Sequence, residues 1–211
     1  MLEAAVGTGR LLVPLLQAGL HVEGIDSSAE MLTYCRRNCT VAGVEATLHC
    51  GALETMDLRH RYAAIVISLG SFMLLSGPGE ATAALDRMRR HLLPGGWLFL
   101  DADAPGVHAE SPDRHESRRV VQCPDGATIV LVDAPLGDDA TDGIERRDGR
   151  VVAREVQDLH LRRYDHDELR DLLTGAGFVN IDACGDYAEE TPVATARTWL
   201  CFSGQRQGGS A

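Results

Sequence analysis

The sequence predicts an α/β fold in which a mostly parallel β-sheet is covered by helices on both faces. Strand-like and helix-like segments alternate over the first hundred residues, which is typical of such a sheet. The chain has 211 residues, of which 45% are hydrophobic, enough for one domain with one core. Between Asp103 and Tyr164 the pattern changes to extended segments separated by turn residues. This change predicts an antiparallel β insertion after the fifth strand.

The first strand and helix flank a glycine-rich turn. Residues 1–6 form a short apolar segment that we predict as the first strand, and Gly7-Thr8-Gly9 follows it. An apolar segment over 10–18 ends at Gly19, which predicts a helix with a glycine stop. Pro14 lies inside this segment and is expected to bend the helix or remove one backbone hydrogen bond.

The second strand and helix follow at once. Residues 21–25 predict a strand that Asp26 closes. Ser27 and Glu30 have the spacing of a capping box, in which each side chain bonds the other residue's backbone N–H. We therefore predict a helix over 31–41.

The third, fourth and fifth strands are short apolar runs bounded by turn residues, as buried parallel strands usually are. They are predicted over 46–50, 63–69 and 97–100. An amphipathic helix is predicted over 80–93, and Pro94-Gly95-Gly96 terminates it.

The inserted region contains three predicted extended segments, over 118–123, 127–133 and 151–163. Residues 137–143 are polar, and we expect them to form a loose connection. After the insertion, Asp165 and Glu168 form a second capping box at the start of a helix that stops at Gly175-Ala176-Gly177. The last two strands and a frayed tail are predicted over 178–183, 198–202 and 204–211.

Composition excludes several classes of function. The chain carries 31 acidic and 20 basic residues, a formal net charge of −11, so binding to nucleic acid is not expected. Apolar runs are far shorter than the roughly 20 residues that cross a bilayer, and the N-terminus has no secretion signal pattern, so we expect no membrane association and a cytoplasmic location. The six cysteines contain no C-x-x-C pair, and we expect free thiols and no metal.

The motif that carries chemistry is Glu3-Ala4-Ala5-Val6-Gly7-Thr8-Gly9-Arg10, followed by Gly24-Ile25-Asp26-Ser27. Glycines after a first strand allow close approach of a ligand to the backbone, and a carboxylate at the end of the second strand can accept hydrogen bonds from two ribose hydroxyls. Any adenosine-containing cofactor fits this pattern. A dinucleotide fingerprint would place a third glycine at position 12, where Leu12 stands.

These residues resemble the class I S-adenosylmethionine-dependent methyltransferases that act on small molecules. Their acidic-x-Gly-x-Gly-x-Gly pattern is matched by Glu3, Ala5, Gly7 and Gly9, with alanine in the first glycine slot. The resemblance continues through residues 24–32, 92–98 and 164–178. It implies a Rossmann-like fold with a seven-stranded sheet and an antiparallel terminal strand. It also implies one methyltransferase domain over 1–211, with a cofactor-binding half (1–103), the β insertion (104–163), a C-terminal helix with strands (164–203) and the tail.

The resemblance also implies roles for individual residues toward the cofactor, S-adenosylmethionine. Glu3 would lie near the methionine amino group, Ala5, Gly7 and Gly9 would pass under the cofactor, and Asp26 would hold the ribose. The remaining positions would border the adenine or the methyl group: Ser27, Met31, Ala52 and Leu53 for the adenine, and Ser68 and Leu69 for the methyl group. Ala52 lacks the carboxylate that many members place there.

A general base is needed only for some methyl acceptors, because a sulfonium methyl group is already activated. The candidates are Asp101 and Asp103 just past the fifth strand and His108 in the loop beyond it. All three are expected at the carboxyl ends of the strands, where open α/β sheets bind ligands. The acceptor would be a nitrogen or an oxygen of a small molecule.

Two alternatives remain open, and so does the oligomeric state. A truncated or degenerate protein could keep the fold without activity, since the usual N-terminal helices are missing before the first strand. A nicotinamide-dependent oxidoreductase is disfavoured by Leu12 and by the two final strands. A homodimer formed through the β insertion is a hypothesis, since a partner could cover the apolar surface left beside the first strand.

Overall fold

The computed structural model describes residues 1–104, 117–122, 128–134, 140–147, 150–158 and 160–208. The chain divides into two compact units, one of residues 1–105 and 163–211 and one of residues 106–162. A seven-stranded sheet lies in the first unit and a four-stranded sheet in the second. The predicted fold class is confirmed: a mostly parallel sheet with helices, and an antiparallel β insertion after the fifth strand.

The strands, in chain order, are β1 (Leu2–Ala4), β2 (Glu23–Asp26), β3 (Thr47–Cys50), β4 (Tyr62–Ile67), β5 (Leu92–Asp103), β6 (Ser117–Gln122), β7 (Thr128–Ala134), β8 (Ala140–Arg147), β9 (Arg150–Asp158), β10 (Phe178–Gly185) and β11 (Trp199–Arg206). The α-helices are α1 (Leu12–Gln17), α2 (Ala29–Ala42), α3 (Glu80–His91) and α4 (His166–Gly175).

The larger sheet has the strand order β10-β11-β5-β4-β1-β2-β3. Strand β11 pairs antiparallel with both of its neighbours, whereas the other pairs are parallel. Starting from β1, the strands β2 and β3 are added toward one side of the sheet, and β4 and β5 are added toward the other side. Because such crossovers are right-handed, the reversal places α1 and α2 on one face and α3 on the other. Ligands of open α/β sheets bind where the order reverses, here at the carboxyl ends of β1 and β4.

Helix α1 is shorter than predicted. It spans Leu12–Gln17, and Pro14 is its third residue. A proline is tolerated in the first turn because the N–H it lacks would have no partner inside the helix. Pro14 therefore sits in the first turn of the helix and does not interrupt it.

Helix α2 spans Ala29–Ala42 and is therefore longer than the predicted 31–41, but its N-cap lies one residue after the predicted Ser27. Ser28, not Ser27, is the N-cap residue, and its hydroxyl oxygen accepts a hydrogen bond from the Met31 N–H. The box prediction was wrong because the Ser28 N–H is itself taken by the Asp26 carboxylate at 2.8 Å, which fixes the chain one residue further along. At α4 the predicted cap is confirmed: Asp165 accepts from the Glu168 N–H.

Strand β5 is longer than predicted. It starts at Leu92, directly after α3, and its pairing with β4 shifts register between Tyr62 and Ala64. Residues 93–96 lie in this irregularity. A Cβ at Gly96 would lie 2.9 Å from the Ala63 carbonyl oxygen, so glycine is required where the two strands approach.

The insertion forms a sheet of its own with the order β6-β7-β8-β9, all antiparallel. The prediction that 137–143 is a loose connection was wrong for its last residues, because β8 begins at Ala140 and pairs with both β7 and β9. The backbone N–H and C=O groups of polar residues form the hydrogen bonds of a sheet as well as those of apolar residues do. The polar composition of this segment therefore did not indicate a strand.

The tail predicted from Gly204 begins later. Gly204, Gln205 and Arg206 belong to β11, where Gln205 pairs with Trp97 and Arg206 pairs with Phe178. The Arg206 guanidinium also donates to the Leu92 and Arg89 carbonyl oxygens at the end of α3. These contacts hold residues 204–206 in the sheet, although the glycine in this segment had suggested a frayed tail.

The core beside the first strand joins α1 and α2 to the sheet. Its fully buried members are Val6, Leu12, Val22, Leu32, Cys35 and Cys39. Burial of side chains of this size contributes roughly 1.5–3 kcal/mol each, so this cluster holds the first strand and its loop in place. Among the described residues, no helix is both long enough and apolar enough to span a membrane.

Candidate functional site

The glycine loop after β1 is built from residues with left-handed backbone. Ala5, Gly7 and Gly9 have φ values of 57°, 52° and 82°. A Cβ at Gly9 would lie 2.7 Å from the Cys35 sulfur, so the loop presses against α2. A Cβ at Gly7 would meet nothing within 4 Å. The loop is therefore closed on its inner side and open at Gly7, where a ligand can approach the backbone.

Asp26 ties this loop to the end of β2. One carboxylate oxygen accepts a hydrogen bond from the Gly7 N–H at 2.8 Å, and the other accepts from the Ser28 N–H at 2.8 Å. A carboxylate oxygen can accept more than one hydrogen bond, so both retain capacity toward a ligand. Asp26 thus lies at the predicted position beside the loop, and it also fixes the loop's conformation.

Glu3 is a buried acid below the loop. Its residue is 3% exposed, and its Oε2 has no hydrogen-bond partner. Burial raises the pKa of Glu3 to about 8, although a hydrogen bond from the Leu12 backbone acts in the opposite direction. A buried carboxyl group without a full set of partners is costly, so this position favours a ligand that brings a donor or a positive charge.

The residues predicted to border an adenine lie after β2 and β3. Ser27 and Met31 are exposed, whereas Leu53 is buried. Ala52 precedes a short 3-10 turn over Leu53–Thr55. The Gly51 N–H donates to the Asp26 carbonyl oxygen at 3.0 Å, which brings the two segments together.

The residues predicted to border the methyl group lie after β4. Leu69 and Gly70 have φ values of 60° and 70°. Their N–H groups donate to the two carboxylate oxygens of Asp101, at 3.0 and 2.6 Å. Ser68 accepts at its carbonyl oxygen from the Ser71 hydroxyl at 2.7 Å. Asp101 therefore stabilises a left-handed backbone conformation that is unfavourable for Leu69.

A cavity of about 420 Å³ lies beside this turn. Its walls come from the two residues before α1, from the carboxyl-edge ends of β4 and β5, from the adjoining part of β11 and from the loop between β10 and β11. They include Arg10, Ser68, Leu69, Phe99, Asp101 and Tyr187. A cavity of this size, mostly apolar with a few polar groups, is typical of a small-molecule site.

The predicted site residues are distributed as follows. The glycine loop, Asp26, Ser68, Leu69 and Asp101 lie along one edge of the sheet. Asp103 is not among the described residues that line the cavity, and its N–H contacts the Met73 sulfur at 3.3 Å. His108 lies outside the described residues. Within those residues, no group of three or more His, Cys, Asp or Glu side chains could hold a metal ion.

Sequence reasoning missed one prominent residue of the cavity, Tyr187. Its hydroxyl donates to Asp101 at 2.5 Å, although 86 residues separate the two in sequence. Tyr187 lies in the loop between β10 and β11, and β11 begins beside the carboxyl end of β5. The position of this loop after a predicted last-but-one strand was the only feature of the sequence that could have indicated Tyr187.

The chain is similar to known methyltransferases in sequence and in structure. Residues 1–96 match a family model described as a methyltransferase domain. The chain is 35% identical over 115 residues to the dTDP-3-amino-3,6-dideoxy-α-D-glucopyranose N,N-dimethyltransferase of Streptomyces fradiae. That alignment covers 52% of this chain and 44% of the relative, so the chain spans less than half of that protein's length.

Solved structures show the same architecture. An S-adenosylmethionine-dependent methyltransferase from Clostridium acetobutylicum superposes with a TM-score of 0.76 at 19% identity, covering 99% of this chain and 83% of that one. The sugar N-methyltransferase KedS8 from Streptoalloteichus superposes with a TM-score of 0.75 at 25% identity, covering 98% and 79%. The resemblance to the class I S-adenosylmethionine-dependent methyltransferases is therefore confirmed, for the fold of the chain and for the sequence of residues 1–96.

Proposed function

We propose that this chain binds S-adenosylmethionine along the carboxyl edge of β1, β2 and β4 and transfers its methyl group to an amino nitrogen of a small molecule. The observation that carries the proposal is the buried Glu3 carboxyl group, whose Oε2 has no partner, below a glycine loop that is open at Gly7. Asp26 lies beside the same loop, and each of its carboxylate oxygens can accept a further hydrogen bond.

These groups fit the cofactor one by one. Glu3 offers a negative or hydrogen-bonding partner to the amino group of the methionine part. The open side of Gly7 allows close approach to the backbone, and Asp26 can accept hydrogen bonds from the ribose hydroxyls. Ser27, Met31, Ala52 and Leu53 would then border the adenine, with Leu53 contributing through its backbone.

The protein's part in the reaction is positioning. Bound S-adenosylmethionine supplies a methyl group that the positive charge of its sulfonium has already activated. The chain has to hold the attacking nitrogen in line and keep water out, which is worth several orders of magnitude in rate. The turn at Ser68 and Leu69, fixed by Asp101, provides a rigid wall at that end of the site.

Nitrogen is favoured over oxygen as the acceptor atom because three of the matched relatives are named as N-methyltransferases or N,N-dimethyltransferases. One is named for an amino sugar nucleotide and two for glycine and sarcosine. A neutral amine can attack without a general base and release its proton afterwards, which agrees with a site where the Asp101 carboxylate already accepts three hydrogen bonds.

Two measurements test the proposal. Isothermal titration with S-adenosylhomocysteine should show micromolar binding, while NAD should not bind. Mass spectrometry should then show addition of one or two methyl groups to dTDP-3-amino-3,6-dideoxy-α-D-glucopyranose, with glycine run as a second amine. Binding without transfer to either amine would contradict the proposed acceptors and favour an inactive protein; no binding by folded protein would contradict the cofactor site.

The β insertion is our proposed homodimer face. Its outer strand β6 has a pairing partner on only one side among the described strands, and Val120 and Val121 on it are 55% and 40% exposed. Edge strands with exposed apolar side chains are prone to pair with another chain. Light scattering after size exclusion should give twice the monomer mass of 22.8 kDa, and a monomer would contradict this face.

A further inference from the structure

Tyr187 lines the cavity beside the turn that follows β4. Resting on the proposed function, we propose that Tyr187, positioned by Asp101, accepts a hydrogen bond from the amino group of the amino-sugar acceptor. The pair would thereby select an amine over a group that cannot donate.

Asp101 acts as the fixed end of this pair. It is 2% exposed, and its two oxygens accept from the Leu69 N–H, the Gly70 N–H and the Tyr187 hydroxyl at 3.0, 2.6 and 2.5 Å. A carboxylate with three donors and almost no exposed surface is poorly placed to take a proton from an acceptor. Its contacts make it a positioning residue, one that joins the turn after β4 to Tyr187.

The loop that carries Tyr187 is built to hold it. Asp186 and Tyr187 have left-handed φ values of 51° and 59°, which cost non-glycine residues roughly 1–2 kcal/mol each. The Asp186 carboxylate accepts three backbone N–H groups, from Arg197, Thr198 and Trp199, at 2.8–2.9 Å. Such strain persists only where the surroundings enforce it, and it is often found at functional positions.

The hydroxyl hydrogen of Tyr187 is directed to Asp101, which leaves the oxygen to act as an acceptor. Burial raises the pKa of Tyr187, and the hydrogen bond to Asp101 raises it further, so the phenol stays protonated. The residue is nevertheless 58% exposed, and it lines the 420 Å³ cavity. The phenol therefore presents lone pairs, backed by a carboxylate, to whatever occupies that cavity.

An amine suits this environment. When an amine accepts a methyl group, positive charge develops on its nitrogen, and an oxygen polarised by a buried carboxylate stabilises that charge. The neighbouring cavity groups compete little: the pKa of the Cys201 thiol is raised to about 11 by burial, so the thiol is neutral. Arg10 is exposed, so solvent screens its charge.

The test compares the affinities of wild type and one variant for a ligand with an amino group and for a ligand without it. Wild type and Tyr187→Phe are titrated, with saturating S-adenosylhomocysteine, against dTDP-3-amino-3,6-dideoxy-α-D-glucopyranose and against the counterpart with hydrogen in place of the amino group. We expect Tyr187→Phe to lower the affinity for the amino sugar by about 5–10-fold and the affinity for the deamino counterpart by less than about twofold. The matched control is Tyr62→Phe, which removes a phenol bonded to a carboxylate at the other edge of the sheet.

Asp101→Asn is the second variant, for the positioning role. Asparagine keeps one acceptor oxygen and turns the other into an NH2 donor, so at least one of the three N–H and O–H groups loses its partner. Binding of the amino sugar should then weaken as it does in Tyr187→Phe, and the KM in the transfer assay should rise. An equal loss of affinity for both ligands in Tyr187→Phe would overturn the proposal. So would a wild-type protein that binds S-adenosylhomocysteine but not the amino sugar. Failure of S-adenosylhomocysteine itself would overturn the proposed function first, which separates the two.

Discussion

The two edges of the parallel sheet each carry a tyrosine bonded to a carboxylate, but they use it differently. At the amino edge, Glu23 at the start of β2 is hydrogen-bonded by the side chains of Tyr62, His49 and His60 at 2.9, 2.7 and 3.0 Å. Burial alone would raise the pKa of Glu23, but these three hydrogen bonds together lower it. The partners come from β3, from β4 and from the segment before β4, so this cluster ties β2 to β3 and β4.

At the carboxyl edge, the carboxylates are bonded by backbone N–H groups of loops. Asp26 holds the glycine loop and the start of α2, and Asp101 holds the turn at Leu69. Both edges have cavities of similar volume, about 420 Å³ at the carboxyl edge and about 390 Å³ at the amino edge. Cavity size therefore does not distinguish the two edges. The proposed site rests instead on the fixed loops of the carboxyl edge and on the acceptor positions that their carboxylates leave unused.

The largest expected effect comes from the inner side of the glycine loop. Gly9→Ala places a Cβ 2.7 Å from the Cys35 sulfur in left-handed backbone, and we expect a loss of roughly 2–5 kcal/mol in unfolding free energy. Gly7→Ala is the matched control, because nothing lies within 4 Å: it should lose about 1–2 kcal/mol yet bind S-adenosylhomocysteine at least tenfold more weakly. Urea unfolding and calorimetric titration measure both, and equal stability losses would contradict the geometry.

Asp26→Asn should have the next largest effect. The amide has one acceptor oxygen, so either the Gly7 or the Ser28 N–H loses its partner, at a cost of roughly 1–3 kcal/mol. Cofactor affinity should fall about tenfold or more, since the ribose partner and the loop change together. Asp182→Asn on β10, an exposed aspartate, is the control and should leave titration with S-adenosylhomocysteine unchanged.

Glu3 predicts a pH dependence with a definite sign. Its pKa in the folded protein is about 8, against an ordinary 4.5, so folding favours the protonated acid. Its contribution to stability is complete below pH 4.5 and is lost as the pH rises through 8. Glu3→Gln should therefore match wild type at pH 4 and be at least as stable at pH 8, while binding S-adenosylhomocysteine more weakly. Denaturant unfolding at the two pH values checks this, and a variant less stable at pH 8 would refute it.

The smallest effect is expected at the amino edge. Tyr62→Phe removes one of three hydrogen bonds to Glu23 and should cost about 1–2 kcal/mol of unfolding free energy. The low pKa of Glu23 means that this cluster's stabilisation is present above pH 4.5 and is lost as the pH falls further, so the variant and wild type should converge in acid. Thermal unfolding at pH 7 and pH 4 measures it. A change in cofactor affinity would contradict the division of roles between the edges.

Periodicity and turn residues predicted the sheet because each strand and helix is coded by its own short segment. The glycine loop and Asp26 were predictable for the same reason, since they are adjacent to strands in sequence. The cap at Ser28 and strand β8 were missed because the first depends on a hydrogen bond from Asp26 and the second on pairing with distant strands.

Tyr187 shows the limit most clearly. Nothing in the segment around it indicates a site, because the position of its side chain depends on Asp101 in another strand and on Asp186, which accepts backbone N–H groups across the loop. Contacts between residues far apart in sequence decide where a side chain points, and short-range patterns do not contain them.

The measurement that tests the central claim most directly is backbone hydrogen exchange, by mass spectrometry, with and without S-adenosylhomocysteine. A ligand at the carboxyl edge should slow exchange in peptides covering residues 5–11, 26–32 and 68–72. Peptides covering 21–24 and 57–62, at the amino edge, should be unchanged. Protection confined to the amino edge, or none at either edge under saturating ligand, would contradict the account.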